Sequence, residues 1–265
     1  HASVAGTELE VVDPSSLSVV RSIPLPSRAA TPAGPARGPA PHLFSVRDFG
    51  AVGDGATIDS PAINKAIDHV ASLGGGVVHF PPGTYACYTL RLKSNITLHL
   101  GEGAVILAAA PNGVAPNGYD DPGPGAGNVF QDYGHSHWNN SLIFGEGLHD
   151  VSIVGTGLIW GKGLTRGHRF PDDPPDISGP GVGDKAIALK NCRNVLLRDF
   201  KILQGGWFAL LATGVDNMTI DNLPDYEGTP SVCKVQLSSA SLGILPTVRH
   251  ADYLGSWLAI IREDK

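Results

Sequence analysis

The chain has little cysteine, little methionine and little positive charge. Its 265 residues include three cysteines, Cys87, Cys192 and Cys233, and one methionine. An odd number of widely spread thiols makes neither a disulfide framework nor a metal motif. Cys192 reads as a small core residue. Lys and Arg number 19 against 25 Asp and Glu, a formal net charge of -6. No global basic field therefore favours nucleic acid, and an anionic ligand would need a local basic patch. No apolar run reaches the length of a membrane span, and the first residues hold no secretory h-region. The start at His1 rather than Met is read as a removed signal or a fragment. Gly74-Gly75-Gly76 and Gly205-Gly206 lack the Lys-Ser/Thr that would open a phosphate-binding helix, so they read as turns. His135-x-His137 has no third ligand of suitable type nearby and reads as a pair of hydrogen-bonded loop histidines. No metal site and no cofactor are expected.

What the chain does have is 34 Gly and 21 Pro, as many tight corners require, and a repeat. Between Asp184 and Leu223 one pattern occurs twice, 23 residues apart. Ile187 returns as Leu210, Leu189 as Ala212, Cys192 as Val215, Asn194 as Asn217, Val195 as Met218, Leu197 as Ile220, Asp199 as Asn222 and Phe200 as Leu223. The runs Val195-Leu196-Leu197 and Met218-Thr219-Ile220 alternate as strands do. Each follows an Asn, which tolerates the left-handed backbone of a sharp corner. A repeat this short cannot bury its own apolar face and must stack on a neighbour, so strand-sized units imply a β-solenoid. The phrase recurs upstream at Asp150-Val151-Ser152-Ile153, 44 residues before Asn194, and at Asn95-Ile96-Thr97-Leu98, 55 residues earlier again. These distances are read as two coils and as two coils plus a loop, with Pro111 to Gly127 supplying the loop. The expected fold is all-β: a right-handed parallel β-helix of at least five coils, its handedness following the rule for parallel crossovers.

Three segments follow. Residues 1–42 carry Pro24, Pro26, Pro32, Pro35, Pro39 and Pro41 among Ala, Gly and Ser, and read as a poorly ordered linker. Residues 43–223 are the β-helix. It opens with a helix after Asp59 or Ser60, where Pro61 takes the first helical position and Ile63, Ile67 and Val70 share one face. That helix is suited to capping the first open coil. Residues 224–265 read as an unrelated tail, in which Tyr253, Leu254, Trp257, Leu258 and Ile261 have the spacing of an amphipathic helix that would cover the far end.

Phe49-Gly50-Ala51-Val52-Gly53-Asp54-Gly55, the helix after it, and Phe80-Pro81-Pro82-Gly83-Thr84-Tyr85 resemble the N-terminal part of pectin-degrading β-helix enzymes. Asn95-Ile96-Thr97-Leu98-His99-Leu100, Gly155-Thr156-Gly157-Leu158-Ile159-Trp160-Gly161 and Asn217-Met218-Thr219-Ile220-Asp221-Asn222 narrow the resemblance to glycoside hydrolase family 28, the polygalacturonases. It covers about residues 43–223. It implies cofactor-free, inverting hydrolysis of galacturonan-type polysaccharide, which needs an acid and a base roughly 6.5–9.5 Å apart with water between. It also implies a secreted or periplasmic location and a monomer, with an acidic polysaccharide as partner and neither nucleic acid nor membrane.

Of the family's catalytic phrases, Asn-Thr-Asp-Gly and Gly-His-Gly are not in this chain, while its Arg-x-Lys (Arg91-Leu92-Lys93) and its Asp-Asp pairs stand upstream of Asn222, away from the expected catalytic coils. The first catalytic Asp is expected just after Asn222, where Leu223-Pro224-Asp225-Tyr226-Glu227-Gly228-Thr229-Pro230 stands instead. Two prolines there cannot serve a central ladder. Asp120-Asp121 and Asp172-Asp173 read as solvated loop charge. No catalytic residue is assigned. A polygalacturonase-type hydrolase lacking its catalytic coils is the leading expectation, beside a non-catalytic carbohydrate-binding or structural β-helix. The best local basic and aromatic group for binding is Lys162, Arg166, His168 and Arg169, with Trp207 as a stacking platform. Residues 232–265, through Arg249-His250-Ala251 and Tyr253-Leu254-x-Ser256-Trp257-Leu258, resemble the end of the zincin-like domain of plasmid antirestriction proteins. They lack the His-Glu-x-x-His helix that would hold zinc.

Overall fold

The computed structural model describes residues 2–5, 8–12, 19–24, 43–114, 116–123, 137–165, 181–224, 230–237 and 257–261. The chain divides into two compact units, His1–Pro41 and His42–Lys265. In the first, β1 (Ala2–Ala5), β2 (Glu8–Val12) and β3 (Val19–Pro24) form an antiparallel three-stranded sheet. The linker reading is thus corrected for residues 2–5, 8–12 and 19–24. Val11, Val12, Val19, Val20 and Ile23 are β-branched residues that favour strands, and the prolines behind that reading stand at Pro24 and beyond. Residues 25–42 lie outside the described ones.

In the second unit β4 (Leu43–Ser45), a 3₁₀ turn (Val46–Phe49) and β5 (Asp54–Ile58) precede helix α1 (Ser60–Ser72). Then come β6 (Gly76–Phe80), β7 (Gly83–Cys87), β8 (Leu90–Arg91), β9 (Ile96–Leu100), β10 (Ala104–Ala108), β11 (Ser141–Glu146), β12 (His149–Gly155) and β13 (Leu158–Trp160). Next are β14 (Lys185–Lys190), β15 (Arg193–Arg198), β16 (Lys201–Leu203), β17 (Phe208–Thr213), β18 (Asp216–Pro224), β19 (Pro230–Leu237) and β20 (Trp257–Ile261). From β6 to β18 every third strand joins the same sheet. Sheet I runs β4-β6-β9-β12-β15-β18-β19, sheet II β5-β7-β10-β13-β16, and sheet III β8-β11-β14-β17-β20. All pairings in sheets II and III are parallel, and in sheet I only β18–β19 is antiparallel. This is a parallel β-helix with four complete three-strand coils, from β6 to β17.

The expected stack is in register: Leu98 pairs with Ile153, Val151 with Val195, Val195 with Met218, and Leu197 with Ile220. All of these side chains are buried. The coil count differs from expectation. β9, β12 and β15 are immediate neighbours, so offsets of 55 and 44 residues each span one coil and not two. The excess length sits between sheets II and III, in residues 109–140 and 161–184, where an insertion changes neither neighbour's register. Distance along the chain cannot tell an inserted loop from an extra coil.

One corner keeps its length because side chains bind there. Asn95, Asp150, Asn194 and Asn217 all have positive φ, between 51° and 63°, the left-handed bend that Asn and Asp adopt most readily after Gly. Asn194 Nδ2 donates to Asp150 Oδ1 at 2.9 Å, and Asn217 Nδ2 to Asn194 Oδ1 at 2.8 Å. Asn222 Nδ2 donates to Asp199 Oδ1 at 2.9 Å at the next bend. Helix α1 buries Ile63, Ala66, Ile67 and Val70 against the core, each large aliphatic side chain contributing about 1.5–3 kcal/mol. Asp59 precedes it without a side-chain cap bond. Its buried carboxylate instead accepts the N–H groups of Val52 at 2.7 Å and Gly53 at 3.0 Å, fastening the glycine turn.

The far end corrects the tail reading. Trp257–Ile261 is not helical but forms strand β20, parallel to β17. The exposed edge of β17 offers a row of unpaired N–H and C=O groups, and Trp-Leu-Ala-Ile-Ile is rich in strand formers. Tyr253 and Leu254 lie outside the described residues. Past Leu223 the chain turns back, and β19 runs antiparallel to β18 with Pro224 opposite Pro230 at the hairpin end. Proline is tolerated there, at the last strand of the sheet.

Candidate functional site

Sheet III is flanked by the two long insertions, and its strands align residue by residue. Ser141, Lys185 and Phe208 form one row, Phe144, Ala188 and Leu211 another, and Glu146, Lys190 and Thr213 a third. Ile143, Ile187 and Leu210 point into the main core, whereas Ala188 and Leu211 belong to a separate apolar cluster with Trp138 and Phe208, flanked by Phe144 and Trp207. Alternation along the strands therefore places Ala188 and Leu211 on the outer face, and Phe208 joins them across an irregularity between Phe208 and Leu210. Trp138, which ends the first insertion, lies over the face and donates Nε1–H to Thr213 Oγ1 at 3.2 Å. Lys190 Nζ stands 4.3 Å from the centre of the Trp138 ring and 3.1 Å from Glu146 Oε1.

A polar knot lies where the strands of sheet III begin. Lys185 is 0% exposed and forms an ion pair with Asp184; its Nζ is also 3.4 Å from Asn140 Oδ1. Main-chain bonds tie the same coils together: Asp184 N–H donates to Asn140 O at 3.1 Å, and Trp207 N–H to Asp184 O at 2.7 Å. Ser141 Oγ donates to Trp138 O at 2.7 Å. A buried ammonium survives only because its partners replace water.

Two glycines bring the turns of successive coils together. Gly161 lies so close to Gln204 that a Cβ would sit 1.9 Å from its carbonyl oxygen. Gly206, at φ +76°, leaves no room for a Cβ beside Asp184 O and Leu164. The Lys162 turn therefore packs on the turn that presents Trp207. Lys162 Nζ is 5.2 Å from the centre of the Trp160 ring, and Trp160 Nε1–H donates to Gln204 Oε1 at 2.9 Å.

Of the residues that sequence assigns to binding, Lys162 and Trp207 are thus on neighbouring turns. Arg166, His168 and Arg169 lie outside the described residues, as do Asp172-Asp173 and His135. Trp207 is half-buried beside the Trp138 cluster. His137 is buried. Asp120 is not loose loop charge: it accepts from Arg91 Nε at 2.7 Å, and its N–H donates to Thr89 Oγ1 at 3.1 Å. Sequence reasoning placed Trp138 among loop aromatics but outside the binding group, and missed Lys190 and the Asp184–Lys185 pair. For the last two a signal existed, since Lys185 and Lys190 bracket a four-residue apolar strand. The burial of Trp138 had none, because its partner Thr213 is 75 residues away.

The corner offers the half-buried rings of Trp160 and Trp207 and the ammonium groups of Lys162 and Lys190, while Trp138 and Phe208 are buried beneath them. Three carboxylates around it, Asp120, Glu146 and Asp184, are each engaged by a cation. No group of three or more His, Cys, Asp or Glu side chains that would hold a metal occurs among the described residues.

Residues 43–163 match the family described as "Rhamnogalacturonase A/epimerase, pectate lyase-like". The chain is 33% identical over 183 residues to Plasmin and fibronectin-binding protein A of Streptococcus pneumoniae, covering 68% of this chain and 23% of that protein. It is 30% identical over 183 residues to an exo-poly-alpha-D-galacturonosidase of Dickeya chrysanthemi, covering 68% of this chain and 28% of the relative. Among solved structures it resembles the family 28 exopolygalacturonase of Yersinia enterocolitica in fold, with a TM-score of 0.51, 20% identity and coverage of 84% and 44%. The chain spans about a quarter of the length of these two curated relatives. The resemblance of residues 232–265 to a zincin-like domain finds no support here. Over its β-helix the chain is similar to pectate-lyase-like and polygalacturonase-type proteins.

Proposed function

We propose that this chain supplies the polysaccharide-binding part of a polygalacturonase-type protein and holds acidic, galacturonan-type chains without hydrolysing them. The observation that carries this reading is the pair of neighbouring turns beside sheet III, where half-buried Trp160 lies under Lys162 and half-buried Trp207 stands on the adjoining turn, with Trp138 buried beneath Lys190 as their support. An aromatic platform beside an ammonium suits a sugar ring that bears a carboxylate. Inverting hydrolysis needs a separate acid and base, and neither an Asn-Thr-Asp-Gly phrase nor an Asp-Asp pair follows Asn222 in the sequence. On this reading α1 caps the first coil, the β-helix is right-handed, and the protein is a secreted or surface monomer that uses no cofactor.

The test is a titration with polygalacturonate at low and high salt, with reducing-end release followed in the same samples. Binding that weakens with salt and with the Lys162→Ala/Arg166→Ala pair, without turnover, is expected. Turnover at a rate typical of the family would overturn the reading. A second reading, a surface adhesin that binds host protein, is favoured by the relative named as binding plasmin and fibronectin, which matches 68% of this chain. Saturable binding of fibronectin with none of polygalacturonate would select it.

A further inference from the structure

His79 on β6 and His99 on β9 are register partners on the outer face of sheet I. Their rings meet edge to edge, with centroids 5.0 Å apart and planes 28° from parallel, and the two Nδ1 atoms are 2.8 Å apart. At that separation one Nδ1 carries a hydrogen and the other accepts it. We infer that this pair is a proton-operated latch between the first two coils, closed while it holds zero or one extra proton and opened by the second.

The reasoning follows the protons. In the neutral pair one ring is the Nδ1–H tautomer and the other the Nε2–H tautomer. A first added proton goes to the free Nε2 of the donor ring, and the resulting imidazolium donates more strongly across the same contact. A second has only the accepting Nδ1 left to bind. It puts two N–H groups and two positive charges face to face, so the contact breaks.

The surroundings offer little to offset that repulsion. Ser45 of β4 stands beside His79, and Val154 of β12 beside His99. Gly101, in the turn after β9, packs on the His79 ring, and Glu102 next to it is exposed. Arg198 extends the row beyond Val154 and pairs with Asp199. Helix α1, packed against β4, β6 and β9, carries Lys65, Asp68, which pairs with Lys93, and His69, whose ring meets Phe44 and Phe49. Burial first, and then His79, push His99 below the ordinary imidazole range.

The sign is as follows. The unfolded chain takes up both protons near pH 6.5, whereas the folded pair takes the second only at lower pH. The latch therefore contributes fully above about pH 6.5, and its contribution is lost as pH falls below that value.

The experiment is a pH titration of the imidazole nitrogens of the full chain by NMR, with amide exchange measured on β6 and β9. One Nδ1–H and one Nε2–H ring are expected at high pH. Two uptake steps should follow, separated by more than one pH unit, or roughly a tenfold difference in proton affinity. Amide protection in β6 and β9 should fall with the second step. In His79→Gln, His99 should titrate in one step and that protection should persist to lower pH. Two rings that titrate independently in the unaltered chain, or protection unmoved through the second step, would overturn the latch whether or not the variant folds.

Discussion

Each coil turns two unlike corners. Between sheets III and I the connections are tight, and an Asp/Asn ladder binds the coils of β12, β15 and β18 to one another. Between sheets II and III the same coils admit residues 109–140 and 161–184 without disturbing the strands on either side. The first corner is a spacer whose left-handed residue and side-chain bonds tolerate little change. The second is free to vary, and it carries the aromatic and cationic groups. Stacking order and the proposed binding surface thus fall to different corners of one coil.

The largest effect that separates them is expected where the variable corner meets the core. Asp184→Ala would leave the Lys185 ammonium buried without its carboxylate, a loss of about 3–5 kcal/mol, read from urea unfolding. Asp184→Ala combined with Lys185→Met should regain most of it. If Asp184→Ala alone costs less than about 1 kcal/mol, Lys185 reaches water by another route. The tight corner comes next. Asn194→Ala removes one bond to each neighbouring coil and puts a Cβ without a compensating polar group at φ 55°. It should cost about 2–3 kcal/mol, and Asn194→Gly, which relieves the backbone but not the lost bonds, distinctly less. Equal losses for Ala and Gly would show that the ladder, and not the bend, sets the corner. The smallest effect belongs to the surface: Lys162→Ala should change stability by no more than about 0.5 kcal/mol while weakening polygalacturonate binding at low salt.

This division explains what could be read from the chain. The register of Val151, Val195 and Met218 was legible because a tight corner repeats an Asn or Asp, then a buried residue, then an outward one, and this phase survives any insertion elsewhere. The number of coils was not legible, since insertions at the other corner imitate coil lengths. The site was half legible. Lys162 and Trp207 stand in glycine turns that sequence marks as corners. Trp138 reaches its place only through the folded first insertion, and Lys185 looks like surface charge until Asp184 and Asn140 close around it. Trp257–Ile261 has apolar spacing compatible with either period, and the open edge of β17 selects strand over helix.

The most direct test of a binding surface on the variable corner is hydrogen–deuterium exchange of the full chain with and without an oligogalacturonide. Added protection is expected at residues 138–146, 160–164 and 204–211, with no change at 95–100 and 193–198. Protection confined to the tight corner, or binding that protects none of the first three segments, would contradict it.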